Sequence, residues 1–331
     1  MKRHLTLEPL LIAHLGPATA AAERPLIVAQ VSQPAVSRIS NPQTPRIFNA
    51  AGLANARQTG SRRYGRLEVC ATVLLAPLLL AASSALAQTP SADEIAGKSQ
   101  QAFHYAGRDM TARVVMTLVT AGGEQRVRDM TMLRRNGDAG RQKYFLYFHS
   151  PADVRGTAFL VNKEPGRDAD RWLFIPALNL VQRIAARDAE SSFVGSDFSY
   201  EDISGRLLTL DARKLLREES LDSKPCYVIE SVPKSRASFT RKLAWIDKAS
   251  FLPLKEEYYD AQKDLFKVFT ADEVRDVDGL PTITKRTMKN VKSGHRTEVT
   301  FRQVKYNVGL TEDVFTERSL RRPPAQWISG D

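Results

Sequence analysis

From residue 110 onward, apolar and polar side chains alternate along the chain with a period of two residues. Between residues 110 and 119, Val114, Met116 and Leu118 are separated by single residues. This period predicts β-strands that bury one face. Turns such as the Asn-Gly pair at 136–137 separate the segments and are typical of hairpins. Further strands are predicted at 130–133, 144–148, 158–161, 171–175, 180–184, 226–232, 241–246, 253–259, 265–273, 282–291 and 296–306.

Two segments depart from this pattern. After Ser91, which suits a helix N-cap, apolar residues follow at helical spacing as far as Gly107. Residues 185–206 are polar with embedded aromatic residues, which predicts a long loop. We expect this loop to hold a short helix at 197–203, capped by Ser196. A last helical turn is predicted at 311–315.

The order of these elements predicts a mainly β fold. No strand–helix–strand repeat occurs, so the sheet is expected to be antiparallel. Too few helical residues are available to cover the apolar face of a flat sheet. We therefore expect an antiparallel half-open β-barrel of about 10–11 strands. The N-terminal helix and the 185–206 loop would form a lid over a hydrophobic cavity.

Residues 61–87 contain the three parts of a cleavable signal peptide. Arg62, Arg63 and Arg66 precede an apolar run at 69–80, and Ala-Leu-Ala at 85–87 is a cleavage pattern. The alternative is a transmembrane anchor, but the run is shorter than the roughly 20 apolar residues that span a bilayer. We expect export to the periplasm with cleavage after Ala87. The sequence leaves the choice between Sec and twin-arginine export open.

The signal peptide divides the chain into three parts. Residues 1–60 show no periodic apolar pattern, and we expect them to be a mis-assigned or disordered extension. Residues 61–87 are the signal peptide, and residues 88–331 are expected to form a single β domain.

The charge of the chain bears on its possible partners, and its cysteine content bears on the role of Cys226. The chain has 48 Lys and Arg against 37 Asp and Glu, but the part after residue 87 has only 39 against 34, with both signs interspersed. A nucleic-acid partner is not expected, because such partners need a clustered basic surface. Cys226 is the one cysteine after residue 87, and we interpret it as a small buried hydrophobic residue on a strand.

Residues that could support catalysis are scattered. His104, His149 and His295 fall in different predicted elements and match no metal-binding spacing. The acids of the 185–206 loop, which include Glu190 and Asp197, are interpreted as solvated or helix-start residues. We therefore expect no catalytic residue, no metal and no cofactor.

Two central segments carry a family resemblance. The sequence WLFIPAL at 172–178, with Arg183 after it, and the sequence FVGSDFSYED at 193–202 resemble the LolA-like outer-membrane lipoprotein-sorting family. Weaker matches lie at 156–160, 224–229 and 251–255, and the resemblance covers about residues 91–320. It implies an antiparallel half-barrel with helices as a lid over a hydrophobic cavity.

The resemblance also implies a function. Members of the family are non-catalytic periplasmic carriers of lipidated proteins or lipids towards the outer membrane. The expected partners are lipid or lipoprotein acyl chains, with an inner-membrane lipid exporter as a possible donor and the outer membrane as acceptor. Two alternatives stay open: an enzyme that modifies envelope lipids, and a structural envelope protein with a filled core.

Candidate cavity residues follow from strand alternation and from the aromatic residues of the loop. The expected acyl-chain-binding residues are Val114, Met116, Leu118, Met130, Met132, Phe145, Leu160, Trp172, Phe174, Phe193, Phe198, Val299 and Phe301.

Overall fold

A computed structural model of the protein describes residues 89–329. The predicted signal peptide and the 1–60 extension lie outside the described residues. No helix within 89–329 is both long enough and apolar enough to cross a membrane.

One antiparallel sheet of thirteen strands forms the body of the described chain. Strands β1 and β13 pair at its centre, and the sheet is not closed because β6 and β7 are its two edges. The prediction of an open, mainly antiparallel β fold is confirmed. The strands are β1 (Asp109–Val119), β2 (Gln125–Asn136), β3 (Gln142–Ser150), β4 (Ala158–Lys163), β5 (Asp170–Ile175), β6 (Leu180–Ile184), β7 (Asp211–Leu221), β8 (Lys224–Pro233), β9 (Arg241–Asp247), β10 (Pro253–Tyr259), β11 (Leu265–Val277), β12 (Leu280–Asn290) and β13 (Arg296–Tyr306).

Four short helices accompany the sheet. The N-terminal helix begins as predicted, because Ser91 and Glu94 form a reciprocal capping box. The loop helix begins later than predicted, since Ser199 and not Ser196 is its N-cap. The helices are α1 (Ala92–His104), α2 (Tyr200–Ser204), α3 (Glu317–Arg321) and α4 (Ala325–Ile328).

The expected 10–11 strands are fewer than the thirteen observed, and β7 is the strand that has no counterpart among the predicted segments. Its sequence places Leu215 and Leu216 side by side, and the pairing with β8 shifts register between Leu215 and Arg217. This bulge puts the two leucines against different apolar clusters. A strand whose apolar residues are adjacent shows no period of two, so alternation did not reveal it.

The sheet has two faces with different covers. The inner face, which carries Val114, Met116 and Met130, is covered by α1 and by residues 185–206. Its main cluster combines residues of β1–β6, β11–β13 and α2. The outer face of β2–β5 is covered by the chain after β13.

Cys226 is a free and fully buried cysteine on β8, as the sequence predicted.

The cover of the outer face is fixed by a buried carboxylate. Asp109 accepts hydrogen bonds from the backbone N–H groups of Val308, Gly309 and Leu310 at 2.6, 3.0 and 3.0 Å. These bonds turn the chain after β13 back across the sheet. Phe315, Leu320 and other residues of this segment then pack on Phe145 and Leu160.

Candidate functional site

The inner face brings together nine of the thirteen predicted cavity residues. All nine belong to one apolar cluster, although Phe301 is only half-buried. Three of them, Met132, Phe198 and Phe301, line small cavities in the described chain. The others are packed against neighbouring side chains of the same cluster. These nine residues are Val114, Met116, Leu118, Met130, Met132, Phe193, Phe198, Val299 and Phe301.

The other four predicted residues lie on the opposite side of the sheet. Phe145, Leu160, Trp172 and Phe174 pack against the chain after β13, which corrects their assignment to the inner face. Strands β3, β4 and β5 are apolar on both faces, so alternation within them does not reveal which face turns inward. Tyr144 and Phe159 are among the residues that take the inner positions instead.

Residues 185–206 lie over the inner face and insert aromatic side chains into it. Phe193 is fully buried, with its ring centroid 5.2 Å from that of Phe159 and 5.5 Å from that of Tyr200. Phe198 is also buried and contacts Arg286 of β12. Both loop aromatics therefore pack down onto the sheet. The inner face is therefore not an open trough, because the loop itself fills much of it.

A few polar contacts hold this loop in place. The carboxylate of Asp197 accepts hydrogen bonds from Thr297 Oγ1 at 2.7 Å and lies 2.6 Å from His295 Nδ1. Lys163 Nζ donates to the carbonyl of Ser204 at 2.6 Å, at the end of α2. Arg128 donates to the carbonyl of Val194. These contacts join the loop to strands of the sheet and, through His295, to the connection before β13.

Helix α1 covers the remaining part of the inner face. Ile95 packs against Ile229 and Ala244 of β8 and β9. Further along, Gln142 Nε2 donates to the carbonyl of His104 at 2.6 Å, and Gln100 Nε2 donates to the carbonyl of Arg206 at 2.8 Å. The second bond ties α1 to the loop, so the two parts of the lid are linked.

Three small cavities remain beneath α1 and the loop, with volumes of about 50, 110 and 90 Å³. Phe103 and His104, at the end of α1, contact all three. A water molecule occupies roughly 30 Å³. The cavities are therefore sized for a few waters, and a long acyl chain would fit only after Phe103 and the loop aromatics move.

The cavity walls are more basic than the sequence suggested. Arg134, Lys163 and Arg286 are buried on the inner face, and Lys242 lines two of the cavities. Burial lowers the pKa of His104 well below its ordinary value, and Lys163, Arg286, Arg134 and Lys242 lower it further. His104 is therefore neutral near pH 7 and adds no positive charge of its own.

These basic residues were missed from sequence, although one signal was present. Arg134 continues the series of Met130 and Met132 on the inward-facing positions of β2, so a charged residue stands where alternation predicts an apolar one. Arg286 lies two residues before Met288, in the same relation. A charge at a buried position is an informative departure from the pattern.

The histidines and loop acids form no metal-binding cluster in the described part of the chain. No group of three or more His, Cys, Asp or Glu side chains within 89–329 could hold a metal ion. His149 lies on β3, 2.9 Å from Thr131 Oγ1, whereas His295 lies in the connection between β12 and β13. Glu190 and Glu201 both accept hydrogen bonds from Arg206 at 2.9 Å. The acids of the loop thus take part in ion pairs.

Comparisons with known proteins agree on the fold. A family model described only as "uncharacterized protein" matches residues 140–322. No curated protein matches the chain. Among solved structures, an outer-membrane lipoprotein-sorting protein domain from Vibrio parahaemolyticus is 30% identical, with 70% of this chain and 98% of that chain covered and a TM-score of 0.65.

Two further structures are similar. A DUF1329 family protein from Desulfovibrio piger is 28% identical, with 69% of this chain and 97% of that chain covered and a TM-score of 0.64. A LolA superfamily protein from Nitrosomonas europaea is 21% identical, with 70% and 99% covered and a TM-score of 0.56, a likeness that concerns the fold.

Proposed function

The chain belongs to the LolA-like family of outer-membrane lipoprotein-sorting proteins, and from this premise we propose that it is a non-catalytic periplasmic carrier of acyl-chain ligands. The ligand is a lipid or the lipid part of a lipoprotein, carried towards the outer membrane. It binds on the inner face of the sheet, beneath α1 and the 185–206 loop. An inner-membrane lipid exporter is the proposed donor, and the outer membrane is the proposed acceptor.

The observation that carries this proposal is the nature of the inner cover. A helix and a loop close the apolar face, and no second sheet is packed on it in the described chain. Cavities remain where the two parts of the cover meet at Phe103. A cover made of one helix and one loop can detach without unfolding the sheet, so it opens more easily than a packed second sheet would. Loading and release of a ligand require such opening.

The energetics of the exchange are favourable for an acyl chain. Each methylene buried contributes about 0.8 kcal/mol, so ten methylenes contribute roughly 8 kcal/mol. Part of this free energy offsets the cost of displacing Phe103, Phe193 and Phe198 from the inner face, where the ligand would take their place.

The test is whether purified protein holds lipid. We expect native mass spectrometry of protein from the periplasm to show bound lipid, and fluorescent fatty acid to bind after delipidation. Met132→Trp, which fills the smallest cavity, should weaken that binding about tenfold. Val127→Trp is the matched control on the outer, exposed side of β2 and should leave binding unchanged.

A protein that carries no lipid and binds no fatty acid contradicts the proposal and favours a structural role with a filled core. Turnover of an envelope lipid, lost on replacing His104 or Glu201 while binding persists, would favour an enzyme.

A further inference from the structure

The guanidinium of Arg286 is buried among aromatic rings. Arg286 is 9% exposed, and its Cζ lies 5.4, 5.3 and 4.8 Å from the ring centroids of Phe103, Phe198 and Phe301. Within residues 89–329 no hydrogen bond or ion pair reaches this guanidinium, and its buried Nε has no partner. Burying a charge without an acceptor is costly. Such a group is therefore expected to meet an anion at some stage of function.

Two further donors face the same cavity of about 50 Å³. Arg134 is 4% exposed and Tyr144 is 1% exposed, and both line this cavity with Arg286. The Tyr144 hydroxyl has no hydrogen-bond partner, and neither has Arg134 Nε, although another Arg134 nitrogen donates to the carbonyl of Ala106. Three buried side chains, each with one donor atom that has no partner, thus surround one small space.

Three carboxylates line the neighbouring cavity of about 90 Å³, which Arg286 also lines, and all three are already engaged. Glu201 accepts from Arg206 at 2.9 Å. Asp202 accepts from Lys267 Nζ at 3.1 Å and from the Ser199 N–H at 2.8 Å. Glu256 accepts from Lys242 Nζ at 2.8 Å and from the Tyr258 hydroxyl at 2.6 Å. None of these carboxylates bonds to Arg286, although the charge of Asp202 acts on it from a distance. The guanidinium therefore has no bonded acceptor among the described residues.

We propose that Arg286, Arg134 and Tyr144 form a binding site for the anionic head group, a carboxylate or a phosphate, of the acyl ligand. The inference rests on the proposed function and adds the charge of the ligand to it. Guanidinium groups bind both carboxylate and phosphate oxygens through paired N–H donors. The acyl chain then occupies the neighbouring space around Phe103, where the two larger cavities lie.

The protonation states fit such a site. Burial lowers the pKa of Arg286 to about 10, while the Asp202 carboxylate and Tyr144 hydroxyl act in the opposite direction. The guanidinium therefore keeps its charge at neutral pH. Burial raises the pKa of Tyr144, so its hydroxyl stays protonated and can donate.

The experiment compares ligands that differ only in the head group. Oleate, oleyl alcohol and dioleoyl phosphatidic acid are titrated against the delipidated protein by displacement of a fluorescent probe. We expect Arg286→Met to weaken oleate and phosphatidic acid about tenfold and to leave oleyl alcohol within about twofold, since a charge-assisted hydrogen bond is lost. Arg302→Met, at an exposed position on β13, is the control and should change none of the three.

A second variant keeps the test independent of the folding of the first. Tyr144→Phe removes one hydroxyl from the cavity and should weaken oleate about fivefold without affecting oleyl alcohol. Whichever of oleate and phosphatidic acid binds the unmodified protein more tightly identifies the preferred head group as carboxylate or phosphate.

Two outcomes separate the proposals. If oleate and oleyl alcohol bind the unmodified protein equally, or lose affinity equally in Arg286→Met and Tyr144→Phe, the anionic site is wrong and the carrier function stands. If none of the three ligands binds, the carrier function itself fails.

Discussion

Lys163 shows how one buried residue couples the lid to pH. Lys163 is 5% exposed, and its ammonium group donates to the carbonyl of Ser204 at the end of α2. Burial and the nearby Arg171 lower the pKa of Lys163 from 10.5 to about 8. The folded state therefore holds this proton less tightly than the unfolded chain does.

This difference predicts a stability that rises with pH. Between pH 8 and 10.5 the unfolded chain binds more protons at Lys163 than the folded chain, so unfolding becomes harder as pH increases. From pH 7.5 to 9.5 the gain is about 2 kcal/mol. Urea unfolding at these two pH values should show the gain in the unmodified protein and not in Lys163→Met.

The control for this measurement is Lys289→Met, at an exposed position on β12. It should retain the rise. An equal rise in Lys163→Met would assign the effect to other groups.

At the scale of elements, Phe193 is the most deeply buried aromatic residue of the 185–206 loop. Phe193 is fully buried between Phe148, Phe159 and Tyr200. Phe193→Ala would leave a cavity costing about 3–5 kcal/mol if the loop stayed in place. Because a loop can detach without unfolding the sheet, we expect it to release instead.

Hydrogen exchange measures this release directly. In Phe193→Ala, amides of residues 193–204 should exchange at least about tenfold faster, while amides of β1 and β2 stay protected. Leu178→Ala, at a position that is 68% exposed, should leave both regions unchanged. Loss of protection in β1 as well would show that the loop belongs to the cooperative core.

The sequence predicted the elements whose apolar residues lie on one face, and it predicted less well those whose apolar residues lie on both faces. Strands with one apolar face, such as β1, follow alternation, and α1 follows from its capping box at Ser91. The orientation of β3–β5 could not be predicted, because both of their faces are apolar and the cover of the outer face comes from residues after β13. The basic cavity was missed for a related reason: the site combines β2, β3 and β12, which only the tertiary fold brings together.

At the scale of the whole molecule, an open sheet makes loading a question of lid movement. Asp197 joins the loop to Thr297 and His295 of the sheet region. If the closed lid limits entry, weakening this connection increases the fraction of binding-competent molecules. We expect Asp197→Ala to accelerate fatty-acid association several-fold, as measured by stopped-flow fluorescence.

Asp188→Ala is the matched control, since Asp188 lies on the same loop with an exposed side chain. It should leave the association rate unchanged. A rate that does not increase in Asp197→Ala would mean that the chain enters elsewhere.

The two-sided burial of β3 has a consequence for how the strand finds its place. If β3 slipped by one residue, Phe145 would exchange faces with its neighbours and a similar area of apolar surface would still be buried. Hydrophobic burial therefore selects the register of β3 only weakly. Gln142 is fully buried, and its amide nitrogen donates to His104 and, at 2.8 Å, to Asn136 Oδ1. A slip by one residue would turn this amide outward and leave the His104 and Asn136 oxygens without a donor. The hydrogen bonds of one polar side chain thus select the register of β3.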